Sequence, residues 1–169
     1  MNYISMEGIP FFLGAWLMMW LLRPLATLVH ELGHALAASI FTDGQVTVRV
    51  GEGGGYQFQL ANRIKIDFLW RNGQEGATTY FQEDTQKGKK IIILLSGPFF
   101  SFISGSFVGW FLFFTIQPVW VELPMISWFC CNALVFLRAI VPMRLKPTDK
   151  HPDGPKSDGL QIINLLRER

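Results

Sequence analysis

The residues of this chain best placed to do chemistry together are His30, Glu31 and His34, in the run His30-Glu31-Leu32-Gly33-His34. Residues four apart share a face of an α-helix, so both histidines can aim a ring nitrogen at one metal ion about 2 Å away. Glu31 lies close enough to take a proton from a water that the ion activates. The H-E-x-x-H spacing therefore supplies two ligands and a general base, while the metal lowers the pKa of water and polarises a scissile carbonyl. Two histidines do not complete such a site, because a catalytic zinc takes three protein ligands and keeps one position open. Candidates for the third are Asp158, Asp153, His151 and Asp149, all towards the C-terminus. Asp158 is preferred: Ser157-Asp158-Gly159 introduces an apolar-periodic stretch from Leu160 to Leu166, whose helix would carry the carboxylate back to the histidines. Asp153 is also followed by glycine, but it sits among prolines with no helix to aim it.

The elements that must hold these groups are apolar. Half of the 169 residues are hydrophobic, with 15 Phe and 6 Trp, and the apolar residues fall in long runs. Three stretches, at about residues 11–41, 91–116 and 124–142, are long enough to span a bilayer, which takes about 20 residues. The expected fold is a mainly α membrane protein, a single domain of three transmembrane helices. A small cytoplasmic β-hairpin or sheet is inserted after the first span, at residues 45–70, and a metal-ligand tail at 143–169 ends in a short helix. Three ionisable side chains at positions 30, 31 and 34 of an apolar span would be costly if idle, and intramembrane ionisable groups point by default to function.

The net charge of +2 gives no reason to expect a nucleic-acid partner; the partners expected are the lipid bilayer and a membrane-protein substrate. The distribution of charge is more telling. Arg49, Arg63, Lys65, Arg71, Lys87, Lys89 and Lys90 lie between the first two spans, and Arg144, Lys146, Lys150, Lys156, Arg167 and Arg169 follow the third. Three spans place both basic segments on one side, which the positive-inside rule makes cytoplasmic, with the N-terminus outside. The N-terminal run lacks a basic n-region and is too long for a cleaved signal peptide, so it is read as retained. Adjacent Cys130 and Cys131 point about 100° apart on a helix, so neither a disulfide framework nor a cysteine zinc site is expected.

Along the chain, Arg23-Pro24 interrupts the first run and predicts a kink or restart. Val46, Val48 and Val50, then Tyr56, Phe58 and Leu60, then Ile64, Ile66 and Phe68 alternate with polar residues, predicting a small antiparallel sheet or hairpin. The polar stretch from Arg71 to Lys90 is expected to be loop. The second span carries Ser96-Gly97-Pro98 and then Ser101, Ser104, Gly105, Ser106 and Gly109, small residues that let membrane helices approach closely.

Taken together, the H-E-x-x-H run in a membrane helix, Ser96-Gly97-Pro98 opening the next span, and Pro142 followed by Ser157-Asp158-Gly159 resemble the site-2 protease family of intramembrane zinc metalloproteases. The resemblance covers the three-helix catalytic core and so most of the chain. It implies that His30, His34 and Asp158 bind Zn2+ and that Glu31 activates water. Ala139 and Ser101 stand where the family often has asparagine, and the separation between Pro142 and Asp158 is longer than in its best-known members. The implied activity is endopeptidase cleavage of membrane-spanning substrates near the cytoplasmic side. The alternative is a catalytically silent membrane adaptor of the same fold.

Two further features bear on substrate. Arg23, Thr27, His30 and His34 fall on one helical stripe, so Arg23 either lines a watery route to the metal or snorkels to the interface. A protease must also hold its substrate extended, and an exposed strand edge of the 46–68 hairpin could do so by strand addition.

Overall fold

Long apolar runs form helices here because a helix satisfies its own backbone polar groups where no water can. The structure is a computed structural model that describes residues 8–52, 54–81, 85–116, 118–145, 147 and 153–168. In chain order it contains α1 (Gly8–Phe41), β1 (Val46–Val50), β2 (Tyr56–Ala61), β3 (Ile64–Phe68), β4 (Gly76–Thr79), α2 (Lys87–Phe114), α3 (Val119–Ile140) and α4 (Asp158–Arg167). The protein is mainly helical, and α1, α2 and α3 are long and apolar enough to cross a membrane. Their outward faces carry Phe12, Trp16, Trp20, Phe107, Trp110, Phe114, Leu134 and Leu137, all exposed. That much apolar surface suits lipid rather than water. On α2 the exposed apolar face runs from Ile92 to Phe114, about 33 Å at 1.5 Å per residue, which matches a bilayer's hydrocarbon thickness.

The three long helices pack against one another through small and polar groups. The Ser127 hydroxyl of α3 is 3.1 Å from the Ala15 carbonyl of α1, and the Cys131 thiol donates to the Met19 carbonyl at 3.3 Å. Helix α1 runs through Pro24 without a break, so there is no restart at that position. Helix α2 begins at Lys87 and α3 at Val119, four and five residues ahead of the boundaries read from hydropathy, because polar residues at a span's end continue the helix beyond the apolar run.

The insertion is a small sheet, as expected, but not a wholly antiparallel one. Its four strands are ordered β2-β3-β1-β4, with β1 parallel to β3 and only the outer pairs antiparallel. Burial explains the order. Val46, Val48 and Val50 of β1 and Ile64 and Ile66 of β3 are buried against Ala35, Ala37 and Ala38 of α1 and Ile93 of α2. The two strands with the most apolar inner faces therefore sit side by side over the helices. Strand β2, exposed at every residue, is left at one edge. The other edge is β4, which lies inside the stretch expected to be loop. Four residues with few apolar side chains gave no period to detect.

Candidate metal centre

The C-terminal helix is aimed by its first three residues. The Ser157 side chain caps α4 by accepting from the Leu160 N–H at 3.2 Å. It also donates to the Val141 carbonyl at 2.7 Å and accepts from the Met143 N–H at 3.1 Å. One hydroxyl thus fastens the start of α4 to the end of α3. Gly159 allows that approach, since a Cβ there would lie 2.0 Å from the Ile140 carbonyl oxygen. Between them, Asp158 points back at α1.

There it meets the two histidines. His30 Nε2 lies 3.2 Å from Asp158 Oδ2, His34 Nε2 lies 3.4 Å from the same oxygen, and the two Nε2 atoms are 3.1 Å apart. Among the described residues, these are the three whose ligand atoms converge tightly enough to hold a metal ion. All three side chains are largely shielded, at 9%, 8% and 14% exposure. For nitrogen and oxygen donors at about 2.0–2.1 Å, a tetrahedral ion needs donors about 3.3–3.4 Å apart. The observed triangle is close to that size.

Each ring is fixed from behind. His34 Nδ1 donates to the Ile93 carbonyl at 2.7 Å, which leaves Nε2 of the neutral ring with its lone pair facing the cluster. His30 Nδ1 pairs with Ser101 Oγ at 3.1 Å. Such outer hydrogen bonds set tautomer and ring orientation in metal sites. Gly97 makes room, because a Cβ there would sit 2.2 Å from His34 Nε2. Two imidazole nitrogens and a carboxylate oxygen converge as a donor set of the kind that binds divalent metals, so the residues fit a divalent ion. In the protein without metal, burial pushes the Asp158 carboxyl up, but hydrogen bonds and charge from His30 and His34 outweigh it and hold it at about 2. Burial pushes the half-buried Tyr80 phenol up, and the Asp158 charge adds to the effect.

Glu31 is buried beside the cluster, against β4. The Thr78 hydroxyl reaches its Oε2 at 2.7 Å and its main-chain oxygen at 3.1 Å. The structure thus brings together His30, Glu31, His34 and Asp158. Asp153 is elsewhere, 91% exposed and 3.9 Å from Arg144, and Asp149 and His151 lie outside the described residues. Arg23 is exposed and does not join the cluster, although Thr27 on the same stripe is buried and donates to the Arg23 carbonyl at 3.1 Å. Sequence reasoning did not assign site roles to Ser101, the Ile93 carbonyl or Thr78. Ser101 sits one turn beyond Gly97 on the same face of α2, a spacing that could have paired it with the histidines; a backbone carbonyl and a threonine in a polar segment carry no such signal.

In comparisons with known proteins, no family model, no curated protein and no solved structure matches this chain.

Proposed function

We propose that this chain is a zinc-dependent intramembrane endopeptidase that cuts membrane-spanning proteins near the cytoplasmic side. The observation that carries the reading is the closed triangle of His30, His34 and Asp158 with a buried glutamate beside it, inside three helices built for lipid. A bound zinc ion would supply Lewis acidity, lowering the pKa of water and polarising the peptide carbonyl. The chain's own residues do the rest. His30, His34 and Asp158 hold the ion, and Ser101 and the Ile93 carbonyl keep the rings turned inward. Glu31 accepts a proton from the attacking water and returns it to the departing amine, as a C–O bond forms and the C–N bond breaks.

Basic residues flanking the spans support a cytoplasmic C-terminus and an outside N-terminus. Gly97, beside His34, is five residues from Ile92, where the exposed apolar face of α2 begins. At 1.5 Å per residue that supports a site about 8 Å inside the cytoplasmic edge of the bilayer.

The sheet supplies a means of holding a substrate extended. Beside the site lies the edge strand β4, rather than either edge of the expected hairpin. The Gly51 N–H bonds the Glu75 carbonyl at 2.8 Å. With the register Val50↔Gly76, that phase leaves the backbone groups of Gly76 and Thr78 pointing away from β1. An extended peptide could pair with them as an added strand.

The test measures bound metal and cleavage of a synthetic membrane-spanning peptide by wild type, Glu31→Gln and Asp158→Ala. The expected pattern is retained metal with cleavage lost in Glu31→Gln, and lost metal in Asp158→Ala. Wild-type protein that binds metal and cuts no membrane peptide would move the reading to the silent adaptor.

A further inference from the structure

The same strand that forms one edge of the described sheet also grips the general base. On β4 the side-chain positions alternate, so Gly76 and Thr78 face α1 while Ala77 and Thr79 face away. Both inward positions touch Glu31. The Thr78 hydroxyl, with a single proton to give, is closest to Oε2, at 2.7 Å. On the other side, a Cβ at Gly76 would lie 2.5 Å from Glu31 Oε1 and 2.7 Å from its Cγ. The carboxylate is therefore confined by a hydrogen bond to one oxygen and by backbone against the other. These two contacts restrict a side chain that otherwise has three rotatable bonds.

We propose that Thr78 is a positioning residue for Glu31, so that β4 ties the aim of the base to the strand whose outer edge would receive an extended peptide. The proposal rests on the protease reading above and concerns the orientation of Glu31, not the binding of metal. A hydrogen bond to a charged group contributes about 1.5–3 kcal/mol. If that bond serves to aim the base, its loss slows the chemical step by about 10- to 100-fold.

The experiment compares wild type, Thr78→Val, Thr78→Ser and Gly76→Ala for kcat, KM and bound zinc. Thr78→Val keeps the shape and removes the hydroxyl. It should lower kcat by about 10- to 100-fold, leaving KM and zinc content at wild-type values. Thr78→Ser should recover most of that loss. Gly76→Ala, which keeps the hydroxyl and displaces the carboxylate, should resemble Thr78→Val. A readout independent of activity is a double-mutant cycle on unfolding in detergent with Thr78→Val and Glu31→Ala. The expected coupling is about tenfold in the unfolding constant, the size of one charge-assisted hydrogen bond. Wild-type kcat in Thr78→Val, a serine variant as slow as the valine one, zinc loss in either, or additive unfolding effects would each overturn the proposal. Absence of cleavage by wild type would count against the protease reading alone, and the unfolding cycle would still decide the Thr78–Glu31 contact.

Discussion

The glycine packed tightly against a ring of the candidate metal centre is Gly97, and Gly97→Ala tests the geometry without replacing any donor residue. A Cβ at this position would lie 2.2 Å from His34 Nε2, 2.4 Å from Cε1 and 2.7 Å from Cδ2. Carbon contacts settle at about 3.5–4.0 Å, so the ring must retreat by more than about 1 Å. It has nowhere to go along its own plane, since Nδ1 is held 2.7 Å from the Ile93 carbonyl. Metal–donor distances tolerate only about 0.2 Å, so His34 ceases to be a ligand and the three-donor site becomes a two-donor one. The expected loss of zinc affinity exceeds the 10- to 100-fold typical of removing an outer hydrogen bond. The assay is competition for zinc against a chelator, on purified protein in detergent. Gly105→Ala serves as a control, because its Cβ would meet Asn132 Cβ at a more accommodating 3.2 Å and lies away from the donors. Both variants gain helix propensity, roughly 1 kcal/mol from glycine to alanine, so a difference between them isolates the steric effect. Zinc affinity in Gly97→Ala equal to that of wild type would refute the three-donor arrangement.

Ser101→Ala removes the hydroxyl that holds His30 Nδ1 and should weaken zinc binding by about 10- to 100-fold, read by the same competition; an unchanged affinity would show that this bond does not orient the ring. For metal-free protein, acid titration of stability should separate wild type from Asp158→Asn. The carboxyl is held at about 2, below its ordinary 3.8, so its contribution is present above about pH 4 and is lost as pH falls through 2. The gap between the two unfolding curves should close over that window, and a gap constant down to pH 2 would contradict the ion-pair account. Finally, synthetic membrane peptides N-methylated at alternate positions around the cleavage site should resist cleavage in one phase of the alternation and not the other, because an added strand pairs through every second residue; equal cleavage of both phases would remove strand addition at β4.

Periodicity carried much of this fold but not the edge strand β4. The three spans are long and uniformly apolar, and the alternation in β1 and β3 is clean because valines and isoleucines face one helix surface. Which strands pair was not legible, since β1, β2 and β3 share the same period and differ in how much apolar surface their neighbours cover. The site divides in the same way. His30, Glu31 and His34 are legible because one helix fixes their mutual placement within five residues. Asp158, 128 residues from His30, was legible only as a capping pattern, Ser-Asp-Gly before an apolar helix. Thr78 was not, because its meeting with Glu31 depends on how the whole sheet docks.

The polar donors of this centre are few, and what gathers them is the removal of bulk around them. Gly97 admits the His34 ring, and Gly159 lets the start of α4 lie against the end of α3. Any side chain at these points would separate α1, α2 and α4 by more than the slack of a metal bond. The behind-ring partners work in the opposite sense, since the Ile93 carbonyl and Ser101 hydroxyl hold the imidazoles forward into one another. Without metal, the same atoms meet as hydrogen-bond and ion-pair partners across 3.1–3.4 Å. A bound cation would replace those contacts with three metal bonds joining α1 to α4. The centre and the fold around it are therefore coupled: the ion that would activate water would also add to what holds the C-terminal helix in place, so metal binding should stabilise the docked tail.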